Sequence, residues 1–381
     1  MNSRRYLAGA AIVLATGAAA TQAQEVVVRI GHAGPLSGPI AHIGKDNENG
    51  ARMAIEELNA AKPVIGGRNV RFELMSEDDG ADPRLGTAAA QKLADAKVNG
   101  VIGHVTSGTT IPAAKIYSDA GIPQISPSAT NPRYTQQGYK TAFRLVANDA
   151  QLGSVLGRYA VDTVKAKRIA VIDDRTAYGQ GVADEFVKAV RAKGGSEIVT
   201  REFTNDKATD FNAILTAVKS KKPDLIFYGG MDAVGGPMLR QMKSLGIGAK
   251  FMGGDGVCTE SMLQLAGDAI GEGLVTCAEA GGIEDKHKTK VDAFRTAYRK
   301  RYGSDVQLYA PYAYDAVMVM VESMRKAGST DPAKYLGQLA TLEYDGLTGR
   351  IAFDPKGDVR NGTLTLYTFK EKKRVQLGIT R

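Results

Sequence analysis

The chain has 381 residues, 43% of them hydrophobic and 24% charged, which excludes intrinsic disorder and leaves room for two domains. A formal net charge of +8 arises from 49 basic and 41 acidic residues scattered along the sequence, so nucleic acid is not expected as a partner. Four histidines (His32, His42, His104, His287) show no ligand spacing with Cys258 and Cys277, so neither a metal site nor a cofactor is expected.

Residues 1–23 carry a basic start (Arg4, Arg5), an apolar run from Leu7 to Leu14 and small residues before Gln24. That order is a secretory leader cleaved after Ala23, and the apolar run is shorter than the roughly 20 residues that span a bilayer. No cysteine nearby offers a lipid anchor. In an oxidising compartment Cys258 and Cys277 are either a disulfide or two buried thiols. The densest basic runs, around Lys286–Lys290, Arg299–Arg301 and Lys370–Arg374, read as solvated surface.

From Glu25 the pattern alternates strand and helix. Residues 26–30 form an apolar strand ending in a breaker-rich turn, Gly34 to Pro39. A helix follows over 46–60, then a strand over 70–75, then a helix over 82–96 with Asp82 as N-cap and Pro83 in first position. Strands at 98–102 and 122–125 each run into a hydroxyl-rich turn, Thr106-Ser107-Gly108-Thr109-Thr110 and Ser126-Pro127-Ser128-Ala129-Thr130. Beyond the carboxyl ends of parallel strands, such turns and the helix that follows form an anion-favouring wall. Ser107, Thr109 and Thr110 are expected to cap that helix.

The alternation restarts with a strand at 143–146. Strands at 168–172, 197–203, 225–228 and 251–252 are separated by helices over 150–165, 181–192, 211–219 and 234–245. Two such runs specify an α/β protein of two doubly wound lobes. Helices over 288–302, 309–327 and 332–340 and strands over 347–353 and 363–369 are too few for a third lobe, so they complete the first two. The chain must then cross between lobes several times, with a hinge and a cleft.

No Gly-x-Ser-x-Gly elbow, phosphate loop or His-Glu-x-x-His helix occurs. A hydrolase built on Ser107 with His104 is a weak alternative, because residues three apart on a strand face opposite ways. Asp255, flanked by glycines after a strand, is either an ammonium partner or an ordinary turn aspartate. Tyr178 follows a strand likewise, with an exposed turn tyrosine as its bland reading.

The segments around residues 34–44, 50–59, 101–132, 168–181, 227–230 and 251–257 resemble the periplasmic leucine/isoleucine/valine-binding proteins of bacterial ABC importers, over nearly the whole chain after the leader. The resemblance implies a type I periplasmic binding protein, no catalysis, and a three-segment hinge. It places the first lobe at 24–147 with 279–356 and the second at 148–278 with 357–381. It implies a ligand carboxylate on Ser107 and Thr130, an ammonium near the Ser128 backbone and Asp255, and Tyr178 closing over the ligand. Asp255 stands where that family carries glutamate, Ile43 and Met231 where it carries aromatic residues, and Ala81 and Thr106 replace its cysteine pair. A monomeric amino-acid carrier in the periplasm, delivering to an ABC permease, is the resulting expectation; a ligand-sensing module acting through a receptor is the alternative.

Overall fold

A computed structural model describes residues 25–380, so the expected leader lies outside the described residues. The chain begins with β1 (Val26–Gly34), α1 (Ala41–Ala60), β2 (Val64–Ile65), β3 (Arg68–Asp78), α2 (Pro83–Asp95), β4 (Gly100–Gly103), α3 (Ser107–Asp119), β5 (Gln124–Ser126), α4 (Arg133–Gln136) and β6 (Ala142–Arg144). These strands form one sheet in the order β2-β3-β1-β4-β5-β6, parallel except for β2. Next come α5 (Asp149–Asp162), β7 (Arg168–Asp173), α6 (Ala177–Lys193), β8 (Glu197–Phe203), α7 (Asn212–Ser220), β9 (Leu225–Gly229), α8 (Asp232–Ser244), β10 (Lys250–Gly253), α9 (Ser261–Ala266) and β11 (Val275–Glu279). The remainder supplies α10 (Asp285–Tyr302), α11 (Ala310–Ala327), α12 (Pro332–Thr341), β12 (Glu343–Asp345), β13 (Arg350–Ala352), β14 (Leu364–Lys370) and β15 (Lys373–Thr380).

The second sheet runs β15-β14-β11-β10-β9-β7-β8, with β14 and β15 antiparallel. Both parallel sheets are doubly wound, so each has a switch point where strand order reverses, between β1 and β4 and between β7 and β9. The chain passes between the sheets after β6, after β11 and after β13. These crossings lie side by side: Ala147 N–H donates to Ala280 O (3.2 Å) and the Thr363 hydroxyl to Gly282 O (2.9 Å). Buried Arg144 ties them to the first sheet, donating to Asp358 from Nε (2.9 Å) and to Ala129 O and Asn131 O from Nη1.

Asp82 caps α2 as expected, accepting from the amides of Arg84 and Leu85, with Pro83 opening the helix. Several elements differ from the sequence reading. Helix α1 starts at Ala41 rather than at Asp46, and Asp46 turns inward. Its carboxylate accepts from the amides of Gln307, Leu308, Tyr309 and Ala310, the uncapped start of α11. A Cβ on Gly50 would stand 2.1 Å from Ala310 O, so this glycine lets α1 and α11 approach. The strand expected over 347–353 is instead the hairpin β12-β13. Asp315 fixes its turn by accepting from Leu347 N and Thr348 N, both at 2.7 Å. Strands β11 and β15 were absent from the reading, because their mixed Thr, Cys, Glu, Gln and Gly content hides an apolar period.

The basic runs lie on exposed surface as expected, except at Arg374 and His287. Arg374 is nearly buried, donates to Cys258 O, and lies 4.5 Å from the Tyr367 ring centre. His287 is buried against Asp345 (2.9 Å). Cys258 and Cys277 are joined as a disulfide, their Cα atoms 5.4 Å apart.

Candidate functional site

The first wall grows from the carboxyl ends of β4 and β5. After Gly103 the chain turns into α3, and the hydroxyls of the two polar turns stitch them together. Ser126 donates to His104 O (2.9 Å), Ser128 donates to Val105 O (2.9 Å), and Asn131 N–H donates to the Ser107 hydroxyl (3.2 Å). Ser107 thus keeps its own proton to give. Thr109 and Thr110 do not cap α3; both hydroxyls donate back to Thr106 O. Thr106 supplies no side-chain cap, while the amides of Thr109 and Thr110 bond its carbonyl, so those of Ser107 and Gly108 lie outside the helix's own ladder. A wall of this kind favours a carboxylate.

The nucleophile reading of Ser107 fails on geometry. His104 lies beyond the strand, fully buried, with Nδ1 2.8 Å from Asp79 and Nε2 3.0 Å from the Tyr117 hydroxyl. Both ring nitrogens are committed to structure, so no base is left for Ser107.

The second wall faces it from β7, β9 and β10. Tyr178, in the first turn of α6, donates from its hydroxyl to Asp255 Oδ1 (2.7 Å) and accepts from Gly256 N–H (2.9 Å). A Cβ on Gly254 would stand 2.6 Å from that hydroxyl, which explains a glycine before the acid. Tyr309, reaching across from the start of α11, donates its hydroxyl to Asp255 Oδ2. Asp255 is 2% exposed. Burial pushes its carboxyl up to about 6 against the opposing pull of the two tyrosine hydroxyls, and burial also holds Tyr178 and Tyr309 well above the ordinary phenol range. The disulfide at Cys258 anchors the Asp255 turn to β11.

Between the walls is an enclosed cavity lined by Ile43, Ser107, Ser128, Tyr178, Met231 and Asp255, joined by Tyr309. Six of the seven residues singled out from sequence therefore meet at one place. Thr130 is the exception: it is fully buried behind the lining, its carbonyl accepting from Asp149 N (2.8 Å). Tyr309 is the residue that sequence reasoning missed, since it stands at a helix start far along the chain and is positioned by Asp46. The cavity's accessible volume is about 10 Å³, room for roughly one water. The lobes are in contact around it. His42 Nε2 lies 2.8 Å from Asp232, which also accepts from Thr259, and Asn131 Nδ2 donates to Ala177 O (2.6 Å).

A family model for periplasmic binding proteins matches residues 27–374. The chain is 36% identical over 369 residues to a leucine-, isoleucine-, valine-, threonine- and alanine-binding protein of Pseudomonas aeruginosa, covering 97% of this chain and 96% of that one. It is 33% identical to a leucine-specific-binding protein of Salmonella typhimurium, covering 87% and 88%. Among solved structures, the branched-chain amino acid transporter substrate-binding protein LivJ of Streptococcus pneumoniae, in complex with isoleucine, superposes with a TM-score of 0.82 at 28% identity, covering 93% and 98%. With both doubly wound lobes, the hinge and a cleft between their switch points accounted for by that match, the chain belongs to the periplasmic binding protein family.

Proposed function

We propose that this substrate-binding protein captures an aliphatic amino acid, branched-chain or similar, between its lobes and hands it to the permease of an ABC importer. The observation that carries the reading is the opposition of a donor-rich wall at Ser107 to a single buried carboxylate at Asp255 across one enclosed cavity. The relatives named for leucine, isoleucine and valine support the ligand class. In this reading Ser107 and the amides at the start of α3 hold the ligand carboxylate, with Thr130 behind them. The Ser128 backbone and Asp255 take the ammonium, each charge-assisted bond contributing roughly 1.5–3 kcal/mol. Tyr178 and Tyr309 close on the acid, and Ile43 and Met231 meet the side chain.

A zwitterion cannot enter a space for one water, so capture requires the lobes to part and close again. We assign the lobes as 24–147 with 279–356 and 148–278 with 357–381, export to cleavage after Ala23, and the working form to a monomer without nucleic acid. The chain is a binding protein rather than an enzyme, as its family is. Native mass spectrometry of freshly purified protein, with identification of what is released on unfolding, tests the ligand class; calorimetry with leucine, isoleucine and valine measures it. No heat with any of the three, and no released amino acid, would sink the reading.

A further inference from the structure

Away from the cleft, the first sheet ends at β6, and the chain from Phe353 to Arg360 lies along that edge. Arg144 N–H donates to Gly357 O (2.8 Å), and a Cβ on Gly357 would stand 2.0 Å from Ala142 O, so a glycine is what lets the segment lie so close. Between this segment and α12 is a groove of about 510 Å³, within the range of small-molecule sites. It shares no lining residue with the cavity between the lobes.

The floor of the groove is apolar. Phe143 and Phe353, both buried, meet with ring centres 4.9 Å apart and line it together with Ala142. Helix α12 turns Tyr335 and Leu339 to the core, which leaves Ala333, Leu336, Gly337 and Ala340, at helical spacings of three and four, along the groove. The outward face of a helix is ordinarily polar, yet here Ala333, Gly337 and Ala340 are exposed. The rim is cationic: Lys140, Lys356 and Arg360 are exposed, and among the described residues none of the three is in an ion pair. The acids nearby are committed elsewhere. Asp354, the acid in the lining, accepts from the amides of Lys356 (2.8 Å) and Asp358 (3.0 Å), and Glu343, close enough to feel the charge of Arg360, is paired with Arg350.

An apolar floor beneath uncompensated cations suits a molecule with an apolar body and one negative head. We infer that this groove is a second ligand site, for a soluble alkyl carboxylate of medium chain length. The chain lies against Phe143, Phe353 and Leu336, and the head sits among Lys140, Lys356 and Arg360. The site does not depend on the amino-acid reading of the cleft. An occupant would brace the segment that leads into the third crossing between the sheets, where Asp358 accepts from Arg144 Nε (2.9 Å).

Calorimetry of the full mature chain with octanoate and with octylammonium tests this, repeated in excess leucine and on two variants, Ala340→Glu and the double change Lys140→Glu with Lys356→Glu. All three positions are exposed, so both variants should keep the parent's thermal midpoint; if one does not, the other decides. Expected are one octanoate per chain with a Kd of about 0.1 mM, octylammonium weaker by about tenfold or more, no effect of leucine, and a loss of about tenfold or more in each variant. The inference is overturned if octanoate does not bind, if the ammonium binds equally well, or if folded variants bind octanoate unchanged. Displacement of octanoate by leucine would put it in the cleft and overturn the inference too. Co-sedimentation with phosphatidylglycerol vesicles separates the free acid from a membrane surface: protein carried down by vesicles while octanoate fails to bind would assign the groove to lipid instead.

Discussion

The wall built on α3 and the wall built around Asp255 differ in where their polarity comes from. The first draws on backbone: helix-start amides and hydroxyls from two turns only about twenty residues apart, bonded to one another and held from below by Arg144. Nothing on it titrates near neutral pH, so it is ready for an anion whether the lobes are open or closed. The second wall has one charge, and that charge depends on distant parts of the chain. Tyr178 comes from α6, Tyr309 from the start of α11, and β11 is tied in through Cys277. One half of the cleft is preorganised locally, while the other is completed by tertiary contacts, including one from the opposite lobe.

The sharpest way to break that contrast is Asp255→Ala. It removes the charge and leaves two buried tyrosine hydroxyls without their acceptor. Ligand affinity is expected to fall by roughly 2–5 kcal/mol, measured by calorimetry, if the ammonium pairs there. Asp255→Asn keeps the shape and should lose nearly as much affinity with less loss of stability. Unchanged affinity in both variants would show that the second wall does not carry the charge recognition.

Next in size is the staple. Replacing Cys258 and Cys277 by alanine opens a loop of sequence separation 19 and should cost about 3 kcal/mol in denaturant unfolding. Because Cys258 directly follows the acid's turn, ligand affinity should weaken as well. A stability loss with affinity intact would mean that Arg374, donating to Cys258 O, holds the turn by itself.

pH separates the walls without mutation. Asp255 titrates at about 6 in the folded, ligand-free chain against about 4 when unfolded, so in that window the folded form binds more protons. The stability this group contributes is full below about 4 and lost as pH rises through about 6. An ammonium favours the ionised form, so affinity should fall as pH drops below about 6, by up to about tenfold per unit. The thermal shift given by saturating ligand should shrink in parallel between pH 7 and pH 5. A flat affinity profile across that range would remove Asp255 from ammonium recognition.

How much of this contrast was readable in the sequence follows from the same distinction. The first wall is nearly contiguous, and its strand-turn-helix grammar with hydroxyls at the turns showed on the letters alone. Asp82 and Pro83 announced α2 for the same local reason. The second wall was reached through Asp255 and Tyr178, which only a family resemblance lifted above ordinary turn residues. Tyr309 carried no local signal, because its place is set by Asp46 and Gly50, some 260 positions earlier. Asp46 itself read as the start of α1, since a capping aspartate looks alike whether it caps its own helix or another. Arg144 passed as a strand residue, although the first wall and the hinge converge on it.

Within the first wall, Ser107→Ala should cost about 1 kcal/mol, the worth of one hydrogen bond, because the neighbouring amides remain. Thr130→Val is the more informative partner. Thr130 lies behind the lining, against Asp149, whose carboxyl burial pushes well up. If Thr130 reaches the ligand only when the lobes open, its loss should slow ligand capture in stopped-flow mixing more than it changes the rate of release. Equal effects on both rates would place its hydroxyl on the ligand throughout.

The smallest effect expected belongs to neither wall but to the contact between lobes. His42 on α1 meets Asp232 at the start of α8, 2.8 Å apart; neither lines the cavity, though each is next in sequence to a residue that does, Ile43 and Met231. His42 is partly exposed, so the pair is worth about 1 kcal/mol at most. His42→Ala should therefore shift the ligand-free population toward open and weaken affinity about twofold to fivefold, by speeding release rather than slowing capture. Small-angle scattering of the ligand-free variant should show a larger radius of gyration, restored on adding ligand. Loss of affinity without that change in shape would mean that His42 acts through neighbouring Ile43, on the cavity itself.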